Sequence, residues 1–159
     1  MSQLSELLNN QILFWSLLSC IFAQLLKIVF NFFLEGELRV GIIFETGGMP
    51  SSHSALITGL TAGTGMELGF DKPLFALAVG ISLIIMYDAS GIRKAAGVHA
   101  EEINKLSKNL QINESPNLKE KLGHTKIEVV VGSILGPLIT LPGMFFIGSP
   151  ISFLNSLLN

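Results

Sequence analysis

The sequence is poor in charge. Of its 159 residues only 14% are Asp, Glu, Lys or Arg, against ~25% in an ordinary soluble domain. The deficit points to the membrane. The net charge of −2 and the lack of a basic tail give nucleic acid no footing as a partner. Cysteine occurs once, at Cys20, so no intrachain disulfide can form. The opening residues MSQLSELLNN lack the basic region and small-residue cleavage site of a signal peptide, so the first apolar run is expected to stay in the mature protein. Common catalytic signatures are missing too. There is no HExxH, no carboxylate cluster and no G-x-S-x-G. The three histidines and Glu128 do not have the spacing of a metal site, so neither metal nor cofactor is expected.

What is present is hydrophobic. Apolar residues make up 49% of the chain and the mean hydropathy is +0.58. Four segments stand out: 12–33, 54–70, 73–87 and 127–147. The first is long enough to span ~30 Å of hydrocarbon. The second and third are separated only by Asp71 and Lys72, which predicts a tight helical hairpin with Pro73 in a first turn. Gly59 with Gly63, and Gly132 with Gly136, are spaced for close helix packing, and such pairs also suit a homo-oligomer. The expected fold is all-α: a multi-pass transmembrane bundle of about four spans, with an amphipathic helix in the loop after the third. Residues 1–159 read as a single integral membrane domain. The tail after Pro150 is too short to span and is expected at the interface.

Charge then orients the segments. Seven of the ten Lys and Arg fall between Asp88 and Lys126, the excess expected of a cytoplasmic loop. Alternation puts the 34–53 loop on that same face, and the Asp71–Lys72 turn and both termini on the other. Lys27, late in the first helix, leans toward the basic face. It either belongs to a site or stretches to the headgroups.

Three short stretches on that face carry chemistry. In GGMPSSHSA, Pro50 fits a first helical turn, and the unpaired amides there attract anions. Ser51 and Ser52 add hydroxyls, and His53 stands at the edge. The competing reading is an ordinary helix cap. In LGHTKIEVVVG, His124 and Glu128 are four apart and share a helical face. A carboxylate that takes one imidazole proton leaves the other nitrogen basic. Thr125 and Glu128 also spell a capping box. In DASGIRKAAGVHA, Arg93 is a planar fork suited to phosphate oxygens, with Asp88 placed to pair with it. Arg93 and Lys94 equally suit membrane anchors. His99 lies on the amphipathic stretch and is expected at the surface.

These residues together resemble the divergent branch of the type 2 phosphatidic acid phosphatase superfamily, whose relatives include vanadium haloperoxidases. The resemblance spans roughly Lys27 to Gly136. It implies that His124 attacks phosphorus to form a phosphohistidine, that His53 protonates the leaving oxygen and that Glu128 orients the nucleophile. It implies that Lys27, Arg39, Ser51, Ser52 and a third-motif cation bind the phosphate. Arg93 or Lys119 would supply that cation, and Arg93 is preferred because it closes the third helix. Glu128 stands where the superfamily has Asp, Ser52 where it has Gly, and about thirty residues separate Arg93 from His124, a long connection.

The expected activity is metal-independent hydrolysis of a membrane lipid phosphate or diphosphate by a multi-pass protein of the cell membrane. The alternative is a non-catalytic protein that binds a phosphate-bearing lipid or a partner through the same residues. A small transporter or assembly subunit is a third class.

Overall fold

The structure is a computed structural model that describes residues 6–7, 9–36, 41–42, 47–111, 117–151 and 154. Its principal elements are α1 (Gln11–Glu35), α2 (Ser52–Leu68), α3 (Pro73–Ser90), α4 (Ile92–Asn109) and α5 (Lys126–Pro142). A π-helical turn, Gly143–Ile147, continues α5 beyond Pro142. The helix ends follow from local chemistry. Asn10 caps α1 by accepting the Leu13 N–H at 3.0 Å. Gly36, at φ +73°, ends α1 with its N–H on the Phe32 carbonyl. Pro73 occupies the first turn of α3, as the hairpin reading requires.

Among the described residues three helical stretches are long and apolar enough to cross a membrane: Gln11–Phe33, Pro73–Asn109, in which α3 is the apolar part, and Lys126–Ile147. The chain is a multi-pass helical membrane bundle. The fourth expected segment is α2, with 17 residues, and it is not among those three. The reason is its position. α2 is the central helix, packed on α5 most extensively and then on α1 and α3. Its buried residues are Ser52, Ser54, Ala55, Gly59, Thr61, Ala62, Gly63 and Gly65. A helix wrapped by other helices needs small side chains rather than the large apolar ones that face lipid. The outer helices carry those. On α5, Ile127, Val130, Ile134 and Leu138 form an exposed stripe.

The glycine pairs are used inside the bundle. A Cβ on Gly132 would lie 2.3 Å from the Ser51 carbonyl oxygen, and one on Gly136 would lie 2.2 Å from that of Ala55. One on Gly59 would meet Thr140 Oγ1 at 2.7 Å. These glycines are therefore taken up by packing within the chain.

The amphipathic loop helix is α4. Its buried residues Gly97, Ala100 and Asn104 share one face, and the chain returns along it. Asn104 Nδ2 donates to the Leu118 carbonyl at 2.8 Å and to Glu120 Oε1 at 2.9 Å, while the Leu118 N–H donates to Asn104 Oδ1 at 2.9 Å. Gly97 admits the returning backbone: a Cβ there would sit 2.5 Å from the Glu120 carbonyl oxygen. Gly123, at φ +77°, passes so close to α4 that its Cβ would lie 2.5 Å from Lys94 N. Most of the tail expected at the interface lies outside the described residues.

Candidate active site

The amino end of α2, the carboxyl end of α3 and the amino end of α5 meet at one end of the bundle. Two backbone hydrogen bonds join them. The Ser51 N–H donates to the Glu128 carbonyl at 3.1 Å, and the His124 N–H donates to the Ala89 carbonyl at 2.9 Å. Gly132 allows the first by letting α5 touch the Ser51 backbone. The 34–53 and 88–126 loops thus open at the same end. At the opposite end Gln11 donates to Glu67, and the Trp15 indole donates to the Gly148 carbonyl at 2.8 Å.

His124 is buried, and its Nδ1 lies 2.9 Å from Glu128 Oε2. A carboxylate oxygen accepts, so Nδ1 carries the proton and the Nε2 lone pair is left for other chemistry. The same Oε2 accepts the Thr125 N–H at 3.2 Å, while Thr125 Oγ1 accepts the Glu128 N–H at 3.3 Å. The capping box and the histidine–carboxylate pair are therefore both present, through one oxygen. The helix cap fixes the carboxylate, and the carboxylate fixes the ring.

His124, His53 and Arg93 line one small cavity of about 30 Å³, closed by Ile85 and Ala89 of α3. Such a space holds a water or two. His53 is exposed on its outer side. Burial first, and then the charges of Arg93, His124 and Lys27, hold its imidazole below the ordinary histidine range, which makes it a stronger acid that is protonated over a narrower span of pH. The Arg93 guanidinium is held by an ion pair with the Asp88 carboxylate, as the sequence spacing allowed. Lys119 is exposed on the return segment and lines a different hollow, with Lys108 and Asn117. Geometry thus groups Arg93, not Lys119, with the two histidines.

Lys27 is 2% exposed. Its side chain is enclosed within the bundle, which speaks against the snorkelling reading. Ser51 is the N-cap of α2: its Oγ accepts the Ser54 N–H at 3.3 Å and the Ser54 hydroxyl at 2.9 Å. Pro50 precedes that cap instead of lying in the first turn, which begins at Ser52. Ser52 is buried beside it. His99 is exposed on α4, as expected. Arg39 lies outside the described residues.

A second hollow of about 250 Å³ adjoins the other side of the His124–Glu128 pair. Asn31, Gly47, Gly48, Lys94 and Lys121 contribute to its walls. The sequence reading treated Lys94 only as an anchor and did not single out Asn31 or Lys121. One signal was available: Asn31 follows Lys27 by four residues and so shares its face of α1. Among the described residues no group of three or more His, Cys, Asp or Glu is placed to hold a metal ion.

The chain is 41% identical over 155 residues to an uncharacterised membrane protein, YuiD, of Bacillus subtilis (strain 168), covering 89% of this chain and 98% of that one. No solved structure gives a significant match. The sequence profile described as the Divergent PAP2 family matches residues 8–139, a span that holds every residue of the site, and the chain belongs to that family.

Proposed function

We propose that the protein is a metal-independent phosphatase of a membrane lipid phosphate or diphosphate, working through a phosphohistidine at His124. The reading rests on one observation: His53, Arg93 and His124 line a common cavity while Glu128 holds the far nitrogen of the His124 ring. Nε2 of His124 attacks phosphorus, forming a P–N bond as the P–O bond to the lipid breaks. His53, entering protonated, gives its proton to the departing oxygen. Water then attacks phosphorus, the P–N bond breaks, and His53 takes the water's proton. Glu128 orients His124 and stabilises the imidazolium. Arg93, Lys27 and the first-turn amides of α2 balance the phosphate charge, with Ser52 beside them and Ser51 holding the turn. Arg39 is assigned to the same phosphate by its motif. The histidine nucleophile needs no metal to act, and the scheme is that of the wider superfamily with its haloperoxidase relatives. Residues 1–159 act as one membrane domain.

Hydrolysis of a panel of lipid phosphates by purified protein in detergent tests the proposal. Release of inorganic phosphate that disappears in His124→Ala is expected, and no release above that variant would end it.

One observation favours a second reading, a non-catalytic lipid-phosphate binder: Arg93 is already paired with Asp88. Vanadate separates the two. Capture that depends on His124 belongs to the enzyme. Salt-sensitive lipid binding that survives His124→Ala belongs to the binder.

A further inference from the structure

The His124 ring stands between two spaces of very different size. The cavity it shares with His53 and Arg93 holds about 30 Å³, and the hollow on the Glu128 side about 250 Å³. Among the described residues His124 alone lines both.

The larger hollow is assembled from separate parts of the chain. Asn31 of α1, 6% exposed, forms its buried side together with Ile42. Gly47 and Gly48 precede α2, Lys94 stands on the first turn of α4, and Lys121 lies on the segment that returns to α5. Gly123 brings the two lysines to one place. Its φ of +77° turns the returning chain against α4, where a Cβ would lie 2.5 Å from Lys94 N. Gly47 closes in from the opposite side, with its Cβ position 3.4 Å from the Gly123 carbonyl oxygen. Glycine walls let a ligand approach the backbone closely.

A cleft lined by charge of one sign concentrates ligands of the other. Lysine binds phosphate as a point charge, and the Asn31 amide adds a neutral donor. The one carboxylate in the walls is Glu128, and its Oε2 is committed elsewhere: it lies 2.9 Å from the His124 ring nitrogen and accepts the Thr125 N–H at 3.2 Å. A nearby depression makes a useful contrast. It shares Lys121 and adds Lys108 and Lys119, but every residue around it is exposed. The hollow beside His124 is the one with buried walls.

We infer that this hollow is a second phosphate-binding site, held by Lys94 and Lys121, for a phosphate group other than the one that reacts. Attack by Nε2 expels the leaving oxygen on the side of phosphorus away from His124. The hollow lies behind the ring, on the Nδ1 side. A phosphate there is neither the group attacked nor the group expelled, so it belongs to a second molecule. Inorganic phosphate from the water and the headgroup of a neighbouring lipid offer the same chemistry.

The test reads the lysines directly. The full chain is treated briefly with an acetylating reagent and the modified lysines are mapped by mass spectrometry. It is done in neutral detergent with and without inorganic phosphate, and in phosphatidylcholine vesicles with and without phosphatidylglycerol. Occupancy should slow modification of Lys94 and Lys121 together, by about fivefold, and leave Lys108 and Lys119 unchanged. Protection by inorganic phosphate assigns the site to the free ion, and protection by phosphatidylglycerol assigns it to a headgroup; either supports the inference. Protection of neither lysine, or of Lys121 with Lys108 and Lys119 but not Lys94, overturns it. Equilibrium dialysis of radiolabelled phosphate gives a second measurement. Lys94→Gln combined with Lys121→Gln should weaken one class of phosphate site about tenfold or more, the scale of a lost hydrogen bond to a charged group. Arg93→Gln, which alters the small cavity alone, should leave that class intact. A double variant that binds as the wild type does overturns the inference. None of these measurements needs turnover, so a failed phosphatase assay ends that reading and leaves this one to be decided by its own result.

Discussion

The two ends of the bundle are built from similar parts and put them to different uses. At the end away from the loops, Gln11 is matched to Glu67, and the Trp15 ring covers Gly143 with its N–H on the Gly148 carbonyl. A Cβ on Gly143 would lie 2.3 Å from that ring. At the other end His53, Arg93 and His124 face a void, and Lys27 is buried nearby. Charge is expensive inside a membrane segment. At this end the charged groups gather around a cavity, with Arg93 held by Asp88 and His124 by Glu128, and the cavity is where the proposed phosphate would sit. On the proposed reading, one end holds the helices together and the other holds the reaction.

Breaking that contrast gives the predictions. The largest effect is expected at His124: substitution by Ala should lower kcat about a thousandfold or more, the scale of losing a nucleophile or its base. The thermal midpoint in detergent should stay close to that of the wild type. His53→Ala comes next, with about a hundredfold loss on alkyl phosphates. The loss should shrink sharply on a p-nitrophenyl ester, whose leaving oxygen needs little help from an acid; an equal loss on both would remove His53 from that role. For the wild type, kcat/KM should be bell-shaped in pH, because His124 must be neutral and His53 protonated. A monotonic profile would contradict the division of labour.

The far end should behave in the opposite way. Trp15→Ala is expected to cost about 3 kcal/mol of stability, read as a lower unfolding midpoint, with kcat per folded molecule unchanged. A loss of kcat without a loss of stability would erase the distinction between the ends. The smallest effect is the sharpest for Glu128. Thr125→Ala removes one half of the capping box and should cost about 1 kcal/mol with little change in the pH profile. Glu128→Gln removes the charge that holds the His124 ring and should shift that profile as well.

Local patterns were legible in the sequence. The four-residue step from His124 to Glu128 and the three-residue step from Thr125 to Glu128 are both fixed by helix geometry, and the Glu128 carboxylate meets both the His124 ring and the Thr125 N–H. What the spacing could not give is that one oxygen, Oε2, serves both. The burial of Lys27 was also beyond reach, because an ammonium on a long stem snorkels or stays inside according to which neighbours surround it. The central place of α2 could be read only in hindsight, from its small residues. The nearness of Arg93 and His124 was opposed by the long connection between them. It is achieved by Asn104, Gly97 and Gly123, whose roles depend on a backbone that comes back from far along the chain.

That closed excursion has an evolutionary consequence. Gly123 returns against Lys94, so the chain leaves and re-enters the bundle at almost the same point. The register between guanidinium and imidazole is therefore set at the neck of the excursion. Changes of length beyond the Asn104 clamp are therefore expected to leave Arg93 and His124 side by side.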